Sequence, residues 1–388
     1  MPKKVAIPYK DTKLRIVGPT GAFYAHRVQR LDIPANMPST TINELGNPGH
    51  AGIVTDIPEV TATFQAFDVS HKIYSYLTGT NPAAFPAAGK DVNQLTFCDL
   101  IAYIKDPELN DHLKCIHAKY MRITDFTFTY SVDGESTEEY SMAGSEKRYF
   151  ANDVYVSSGN LVAGELTLDY TPKTLKNGNK LLSCIVDGDW LDEGSEYSVD
   201  DVTLAVSGGT TEAVLAIYHT QSGVMTWADI TDATVPAAIR GKNVPVEIEA
   251  NHMYRVQSVT IRGTFPNTKV NEMGNTSVVG YIVDPPDITG DISVLDTDNE
   301  IVALLTTGSV DGDAYKEYGV DEYGERTLQL DVIIKHPADN TSVMKTVRVP
   351  KMRITSDGVT SNVGGQLTAT FSFMSDDAQC IVYSGAAA

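Results

Sequence analysis

The sequence predicts a mainly β protein, with two tandem β-barrel or sandwich domains, each flanked by a helix, and a small β-rich insert between them. Three observations predict this fold: a long internal repeat, runs in which apolar and hydroxyl side chains alternate, and one short helical pattern in each repeat. The segment between the repeats has no counterpart elsewhere in the chain. We therefore expect a duplicated domain with one added module.

The repeat is visible without any gap. Residues 27–78 and 255–306 match at a constant offset of 228, with 18 identities in 52 positions, whereas average residue usage would give about three. The match resumes at MRIT, residues 121–124 and 352–355, at an offset of 231. Because loops absorb insertions at little cost, the change in offset indicates loop-length differences between two copies of one fold. We therefore predict a first repeat at 1–155, an insert at 156–244 and a second repeat at 245–388.

Each repeat contains a run in which apolar and hydroxyl side chains alternate, which is typical of a strand with one packed face and one solvated face. The apolar residues of this run include Phe126 and Phe128 in the first repeat, and Phe371 and Phe373 in the second. The intervening hydroxyl residues are Thr127, Thr129, Ser131, Thr368, Thr370 and Ser372. The same pattern also fits an ordinary solvent-exposed surface.

One helix is predicted in each repeat, packed on a sheet. In the first repeat the pattern comprises an N-capping Asp68, apolar Val69, Ile73, Tyr76 and Leu77, and a terminating Gly79. In the second it comprises Asp296 as the cap, Ile301, Leu304 and Leu305, and Gly308 as the stop.

The two most similar stretches, residues 38–58 and 266–286, are bounded by prolines and contain central glycines. This composition predicts a long hairpin that projects from each repeat. Identity retained in a loop favours a contact role, although Gly46 and Gly274 also fit a simple positive-φ turn. The candidate contact residues are Asn43, Glu44, Gly46, Asn47, Asn271, Glu272, Gly274 and Asn275.

The net charge of −20 over 388 residues makes the chain a poor nucleic-acid ligand, because phosphate binding needs clustered Lys and Arg. The four cysteines are scattered, which indicates reduced thiols. The N-terminal stretch has no apolar segment typical of a signal peptide, and no run of 18 apolar residues occurs. We expect a protein that does not insert into a membrane.

The motifs of common enzyme classes do not occur. The chain has no phosphate-binding loop and no Gly-x-Ser-x-Gly nucleophile motif, and the pair Cys115 and His117 has no second ligand pair for a metal. We expect no cofactor and no enzymatic activity. A carboxylate pair for glycoside hydrolysis stays open, because such a pair is defined by its spatial separation alone.

Several motifs together resemble the tail tube proteins of tailed bacteriophages. They are the RVQ strand, INELGN at 42–47, a proline-bounded strand, a helix that ends in LTG, and the stretch 122–150 with its DG turn followed by TEEY. The resemblance covers most of both repeats and not the insert. It implies a β-barrel flanked by a helix, which assembles into rings that stack into the tube conducting the genome. It also implies that the hairpins reach a neighbouring subunit or ring.

The simplest pattern of that family has one domain per chain and six chains per ring. Two domains in each of three chains give six, so we predict a trimeric ring with pseudo-sixfold symmetry. The six hydroxyl residues named above are candidates for the lumen face, and the insert is expected outside. An acidic lumen would repel DNA phosphates, so that DNA slides through without specific binding.

The expected partners are other copies of the chain, further tail proteins (a tape measure, a terminator, and a baseplate or sheath in a contractile tail), and double-stranded DNA in transit. The expected location is the virion, after assembly in the host cytoplasm. One alternative is a tail hub, distal tail or tube-capping protein with the same domains. A second alternative is a carbohydrate-binding or carbohydrate-active β-sandwich protein.

Overall fold

A computed structural model describes most of the chain. The described residues are 12–43, 50–55, 57–105, 113–151, 153–220, 225–227, 229–230, 239–270, 273, 280–295, 302–304, 326–360 and 367–387. They are mainly β, with large antiparallel sheets, which confirms the predicted class.

The first repeat contains twelve described strands and one α-helix: β1 (Thr12–Gly18), β2 (Gly21–Ala25), β3 (Val28–Asp32), β4 (Ala35–Asn36), β5 (Ser39–Asn43), β6 (His50–Thr55), β7 (Glu59–Ala66), α1 (His71–Leu77), β8 (Lys90–Asp91), β9 (Cys98–Lys105), β10 (Leu113–Ser131), β11 (Thr137–Gly144) and β12 (Glu146–Phe150). The described strands of the insert are β13 (Val154–Asn160), β14 (Glu165–Thr167), β15 (Ser183–Val186), β16 (Asp189–Leu191), β17 (Tyr197–Asp200), β18 (Thr203–Val206) and β19 (Ala213–His219). Those of the second repeat are β20 (Val246–Ile248), β21 (Asn251–His252), β22 (Val256–Thr264), β23 (Asn267–Val270), β24 (Gly280–Val283), β25 (Asp287–Val294), β26 (Leu328–Lys335), β27 (Val343–Thr360), β28 (Thr368–Ser375) and β29 (Ile381–Ser384).

One continuous antiparallel sheet runs through both repeats; we call it the main sheet. Its strand order is β3, β7, β11, β10, β22, β25, β28 and β27. The first four strands come from the first repeat and the last four from the second. The two repeats meet where the second half of β10 pairs with β22.

The duplication extends to the strand register. In the first repeat Leu31 is paired with Phe64, and in the second Val259 is paired with Ile292, each pair shifted by 228. A β-bulge occurs at the same place in both ladders. The β10–β11 and β27–β28 ladders likewise correspond at an offset of 231, again with a shared bulge. Two copies of one fold explain this agreement, because bulge position depends on the whole strand environment.

A second layer covers the main sheet in each repeat. The first halves of the long strands β10 and β27 belong to this layer and their second halves to the main sheet. In the first repeat the layer consists of β2, β1, β9, β10 and β12, and in the second of β21, β20, β26, β27 and β29.

The buried apolar side chains between the layers form one cluster that includes both repeats; we call it the first core. Strand β9 is buried on both faces. Leu100 and Ala102 point into the first core, whereas Ile101 and Tyr103 point into a second core shared with the insert. The insert has two sheets of its own, in the orders β13–β19–β15–β16 and β14–β18–β17. The insert therefore lies on the side of the first repeat opposite to the main sheet.

The helix α1 begins later than the sequence predicts. Ser70, not Asp68, is the N-cap, and its side chain accepts a hydrogen bond from the Lys72 backbone N–H. Asp68 instead accepts a hydrogen bond from the Ser70 N–H at 3.0 Å. The predicted inward residues Ile73 and Leu77 are fully buried, and Gly79 follows the helix at φ +64°.

In the second repeat, residues 302–304 are helical and Leu304 is buried. The predicted cap Asp296 and the residues Ile301, Leu305 and Gly308 lie outside the described residues.

A buried ion pair joins the two repeats. Lys345 in β27 contacts Glu138 in β11 through Nζ and Oε1, and both side chains are 0% exposed. Glu138 also accepts a hydrogen bond from the Tyr140 hydroxyl at 2.8 Å, and the Lys345 ammonium group lies 4.7 Å from the centre of the Phe128 ring. Burial raises the pKa of Glu138 above its ordinary value, and the Lys345 charge opposes that rise.

Removing one partner of this pair is expected to destabilise the fold strongly. Lys345→Met and Glu138→Met should each lower the free energy of unfolding by about 3–5 kcal/mol, because the remaining group is left buried without its partner. The double variant should recover much of that loss. Urea denaturation followed by circular dichroism measures all three. Single-variant losses below about 1 kcal/mol, the range of solvent-exposed pairs, would contradict the assignment.

Candidate assembly interface

The face of the main sheet that points away from the first core is mainly polar, with Ala143 and the 43% exposed Met374 among its few apolar side chains. All six predicted lumen candidates lie on this face, alternating with buried apolar side chains. Its hydroxyl residues are Thr61, Thr63, Thr127, Thr129, Ser131, Thr137, Ser141, Ser258, Thr260, Thr264, Thr289, Ser293, Ser356, Thr360, Thr368, Thr370 and Ser372. The sequence prediction of one packed and one polar face is therefore confirmed for these strands.

This polar face has an excess of negative charge among its described residues. Its carboxylates are Asp32, Glu59, Asp125, Glu139, Asp287 and Asp291, and its guanidinium groups are Arg30, Arg122, Arg262 and Arg353. Arg262 is paired with Asp291 at 2.7 Å, and Asp291 also accepts a hydrogen bond from Ser372 at 2.8 Å. The face therefore offers few free cations to a phosphate backbone.

The junction between the repeats is an antiparallel ladder with an apolar side. Phe126, Phe128 and Tyr130 of β10 point into the first core and are at most 2% exposed. Gly263 of β22 is opposite Phe126, and a Cβ atom at this position would lie 2.1 Å from the Phe126 ring. A glycine is required here because the ring lies directly over the backbone.

The strands that correspond to this junction form two open edges. No described strand pairs with the outer edge of β3, the counterpart of β22, or with the second half of β27 beyond β28, the counterpart of β10. At the junction the Phe265 N–H donates a hydrogen bond to the Thr124 carbonyl of β10 at 2.7 Å. The backbone N–H and C=O groups of the odd-numbered residues of β22 therefore point to β10. The backbone N–H and C=O groups of their counterparts Ile33 and Ala35 therefore point outward from the edge, while the Ile33 side chain is buried in the first core. The Pro34 carbonyl points the other way, toward β7, because it accepts a hydrogen bond from the Thr61 N–H.

Both predicted hairpins are present as two-stranded sheets, β5–β6 and β23–β24. One face of the second hairpin packs on the first repeat: Lys269 contacts Glu59 through an ion pair, and the Tyr281 ring lies 6.2 Å from that of Phe97. The other face is open, with Ile282 58% exposed.

The first hairpin presents the corresponding face with no repeat packed on it in the described part of the chain. Ile53, the counterpart of Tyr281, is 67% exposed. This face of the first hairpin is therefore uncovered among the described residues. Of the eight predicted contact residues, Asn43 ends β5; the other seven, Glu44, Gly46, Asn47, Asn271, Glu272, Gly274 and Asn275, lie outside the described residues.

A buried polar cluster attaches the insert to the first repeat. Asp99 of β9 is fully buried and accepts hydrogen bonds from His117 at 2.9 Å, from the Tyr120 N–H at 2.8 Å and from the Ser183 hydroxyl of the insert. Burial by itself would raise the pKa of Asp99, but the hydrogen bonds, first that of His117, lower it overall. Tyr120 is held at φ +55°, a conformation that costs a non-glycine residue free energy.

Asp99→Asn should weaken the attachment of the insert. We expect a loss of about 2–3 kcal/mol at pH 7, because hydrogen bonds to a charged acceptor are lost. Since the folded-state pKa is lowered, the wild-type contribution is present above the unfolded carboxyl pKa of about 3.9 and is lost as pH falls below it. Denaturation at pH 7 and pH 3 should show the difference shrinking at low pH. The matched control is the exposed Asp189→Asn, and a pH-independent difference would contradict this account.

Nothing in the sequence indicates the Glu138–Lys345 pair, the Asp99 cluster or the β10–β22 ladder. The residues involved are far apart along the chain. The one related signal in the sequence is the ungapped match of the two repeats, which suggests similar strands but not that the sheet of one repeat continues into the other.

Among the described residues, no group of three or more His, Cys, Asp or Glu side chains could hold a metal ion. No described helix is long and apolar enough to cross a membrane. No protein-family model matches the sequence, and no curated protein matches it.

Proposed function

We propose that this chain is a structural protein that assembles into rings by repeating, between chains, the strand pairing that joins its own two repeats. The observation that carries the proposal is the pair of open edges, β3 and the second half of β27. They are the counterparts of the two strands that already pair within the chain. An edge that can accept the opposite edge of another copy gives a head-to-tail contact.

The number of chains in the ring follows from the resemblance to tail tube proteins. Six repeats in a ring correspond to three chains, in which junctions within and between chains alternate. A closed ring would leave no open edge on the main sheets, which removes the risk of uncontrolled strand pairing. The first hairpin would then pack on the second repeat of the neighbouring chain whose β27 pairs with β3, as the second hairpin packs on the first repeat.

The polar face suits the lumen of such a ring and the insert suits its outside. The two lie on opposite sides of the first repeat, separated by the first core, the second layer and the second core. A hydroxyl-rich face with excess carboxylate would let double-stranded DNA pass without specific binding.

Stacking of the rings would give a phage tail tube, a component of the virion assembled in the host cytoplasm together with other tail proteins. The chain has no catalytic role in this proposal. The exposed faces of both hairpins, with Ile42 and Ile282, would be available to the next ring.

Cysteines at the proposed junction provide a direct test. By the register of Thr129 opposite Thr260, Thr360 should face Asp32 of the next chain. Oxidised Asp32→Cys/Thr360→Cys protein should therefore give a covalent ladder that ends at three chains in denaturing electrophoresis. Such a pair on an antiparallel ladder has Cα atoms at a separation suited to a disulfide. The four native cysteines are all buried and should not interfere.

Two variants serve as controls. Thr129→Cys/Thr260→Cys, the corresponding pair within the chain, should form only an intrachain disulfide. Asp32→Cys alone should give no ladder. A ladder that stops at two chains or continues past three would refute the trimeric ring.

Negative-stain electron microscopy separates the remaining alternatives. Long hollow tubes would support the tail tube, whereas rings that never stack would favour the hub or capping protein. Single globules that bind glycans would favour the carbohydrate-binding alternative.

A further inference from the structure

The two junctions of the proposed ring differ in chemistry at one paired position. Within the chain, Phe126 lies opposite Gly263, where there is no space for a Cβ atom. At the junction between chains, the same register places Asp357 opposite Ala35. Between chains, Asp357 is smaller than Phe126, and Ala35 has the Cβ atom that Gly263 lacks. This reciprocal change fits the same register of pairing at both junctions.

A lysine stands beside the open edge of β3. Lys147 of β12 donates a hydrogen bond from Nζ to the carbonyl oxygen of Ile33, whose outward-pointing backbone groups would face Val359 of the neighbouring chain that supplies β27. A lysine at this place blocks premature strand pairing on an exposed edge. Docking of β27 would replace this contact by a backbone hydrogen bond and release the ammonium group.

The second repeat has no charge at the corresponding place. His117 is paired with Arg148, and Arg348, the counterpart of His117, is paired with Ile381. Lys147 precedes Arg148 in the first repeat, and Cys380 precedes Ile381 in the second. Lys147 and Cys380 therefore occupy corresponding positions, and Cys380 is fully buried. The junction within the chain is thus apolar at both positions, Phe126 and Cys380, whereas the junction between chains would have Asp357 and Lys147.

We propose that an ion pair between Asp357 of one chain and Lys147 of the next specifies the junction between chains. This inference rests on the proposed ring. Asp357 makes no ion pair among the described residues of its own chain, and it is exposed. Asp357 would face Ala35, which lies about 7 Å along the strand from Ile33, a spacing that the long Lys147 side chain can cover. The occupant of the β3 edge is a second copy of this chain.

The two junctions would also remain distinct because each would have its own ion pair. The junction within the chain has its own buried pair, Glu138 and Lys345. The counterpart of Glu138 in the second repeat is Ala369, by the shared β10–β11 and β27–β28 register. Pairing of two second repeats would therefore leave a charge without its partner, which disfavours that association.

Charge reversal tests the ion pair. Asp357→Lys and Lys147→Asp should each raise the chain concentration needed for half-maximal assembly by at least about tenfold, because like charges would meet at the junction. The double variant Asp357→Lys/Lys147→Asp should return to within about threefold of the wild type, since every junction again has opposite charges. Sedimentation velocity across a concentration series measures the assembled fraction.

The matched control reverses two exposed charges of the insert, Lys176→Asp/Asp200→Lys, and should leave assembly unchanged. Circular dichroism should show that every variant is folded, with a melting temperature unchanged for Asp357→Lys and lowered by a few degrees for Lys147→Asp, which loses the hydrogen bond to the Ile33 carbonyl oxygen. If the Asp32→Cys/Thr360→Cys protein forms its disulfide ladder but single reversals leave assembly unchanged, or the double variant fails to recover, the ion pair is refuted and the ring stands. If no ladder forms, the ring itself is refuted.

Discussion

The antiparallel pairing of β10 with β22 is the constraint on which the rest of the molecule depends. It joins two duplicated domains into one sheet, so their apolar faces contribute to a single buried cluster. The two repeats are therefore not independent folding units connected by a linker. The same pairing uses one edge of each repeat and leaves the corresponding two edges, β3 and the second half of β27, without a described partner strand.

The side chains at the junction show why the repeats could diverge after duplication. Within one chain the junction never needs to open, so it accommodates bulky Phe126 and Phe128 and the fully buried pair of Glu138 and Lys345. In the proposed ring, a junction between chains would have to stay open until assembly. Apolar rings at that edge would expose the unassembled chain to aggregation. Asp357 and Val359 occupy the corresponding positions, and they are exposed in the single chain.

The position of the insert follows from strand β9. Because β9 is covered on both faces, its sequence CDLIAYIK is almost continuously apolar and does not alternate. The buried Asp99 is the exception, and its hydrogen bonds with His117 and Ser183 fix the insert to the second layer. The insert is therefore packed on the first repeat, on the side opposite to the polar face.

Identities at a constant offset predicted the duplication, proline and glycine placement predicted the two hairpins, and local periodicity predicted the alternating strands with their polar faces and the buried side of α1. It placed the N-cap of α1 incorrectly at Asp68, because Asp68 and Ser70 are both good caps and the packed surroundings select one of them. Only the folded chain shows that β10 continues into β22, that Glu138 meets Lys345, and that β3 and β27 are left as edges. Glu138 and Lys345 are 207 positions apart, and strand pairing is specified by three-dimensional packing and backbone hydrogen bonds, for which one chain read in order has no local pattern.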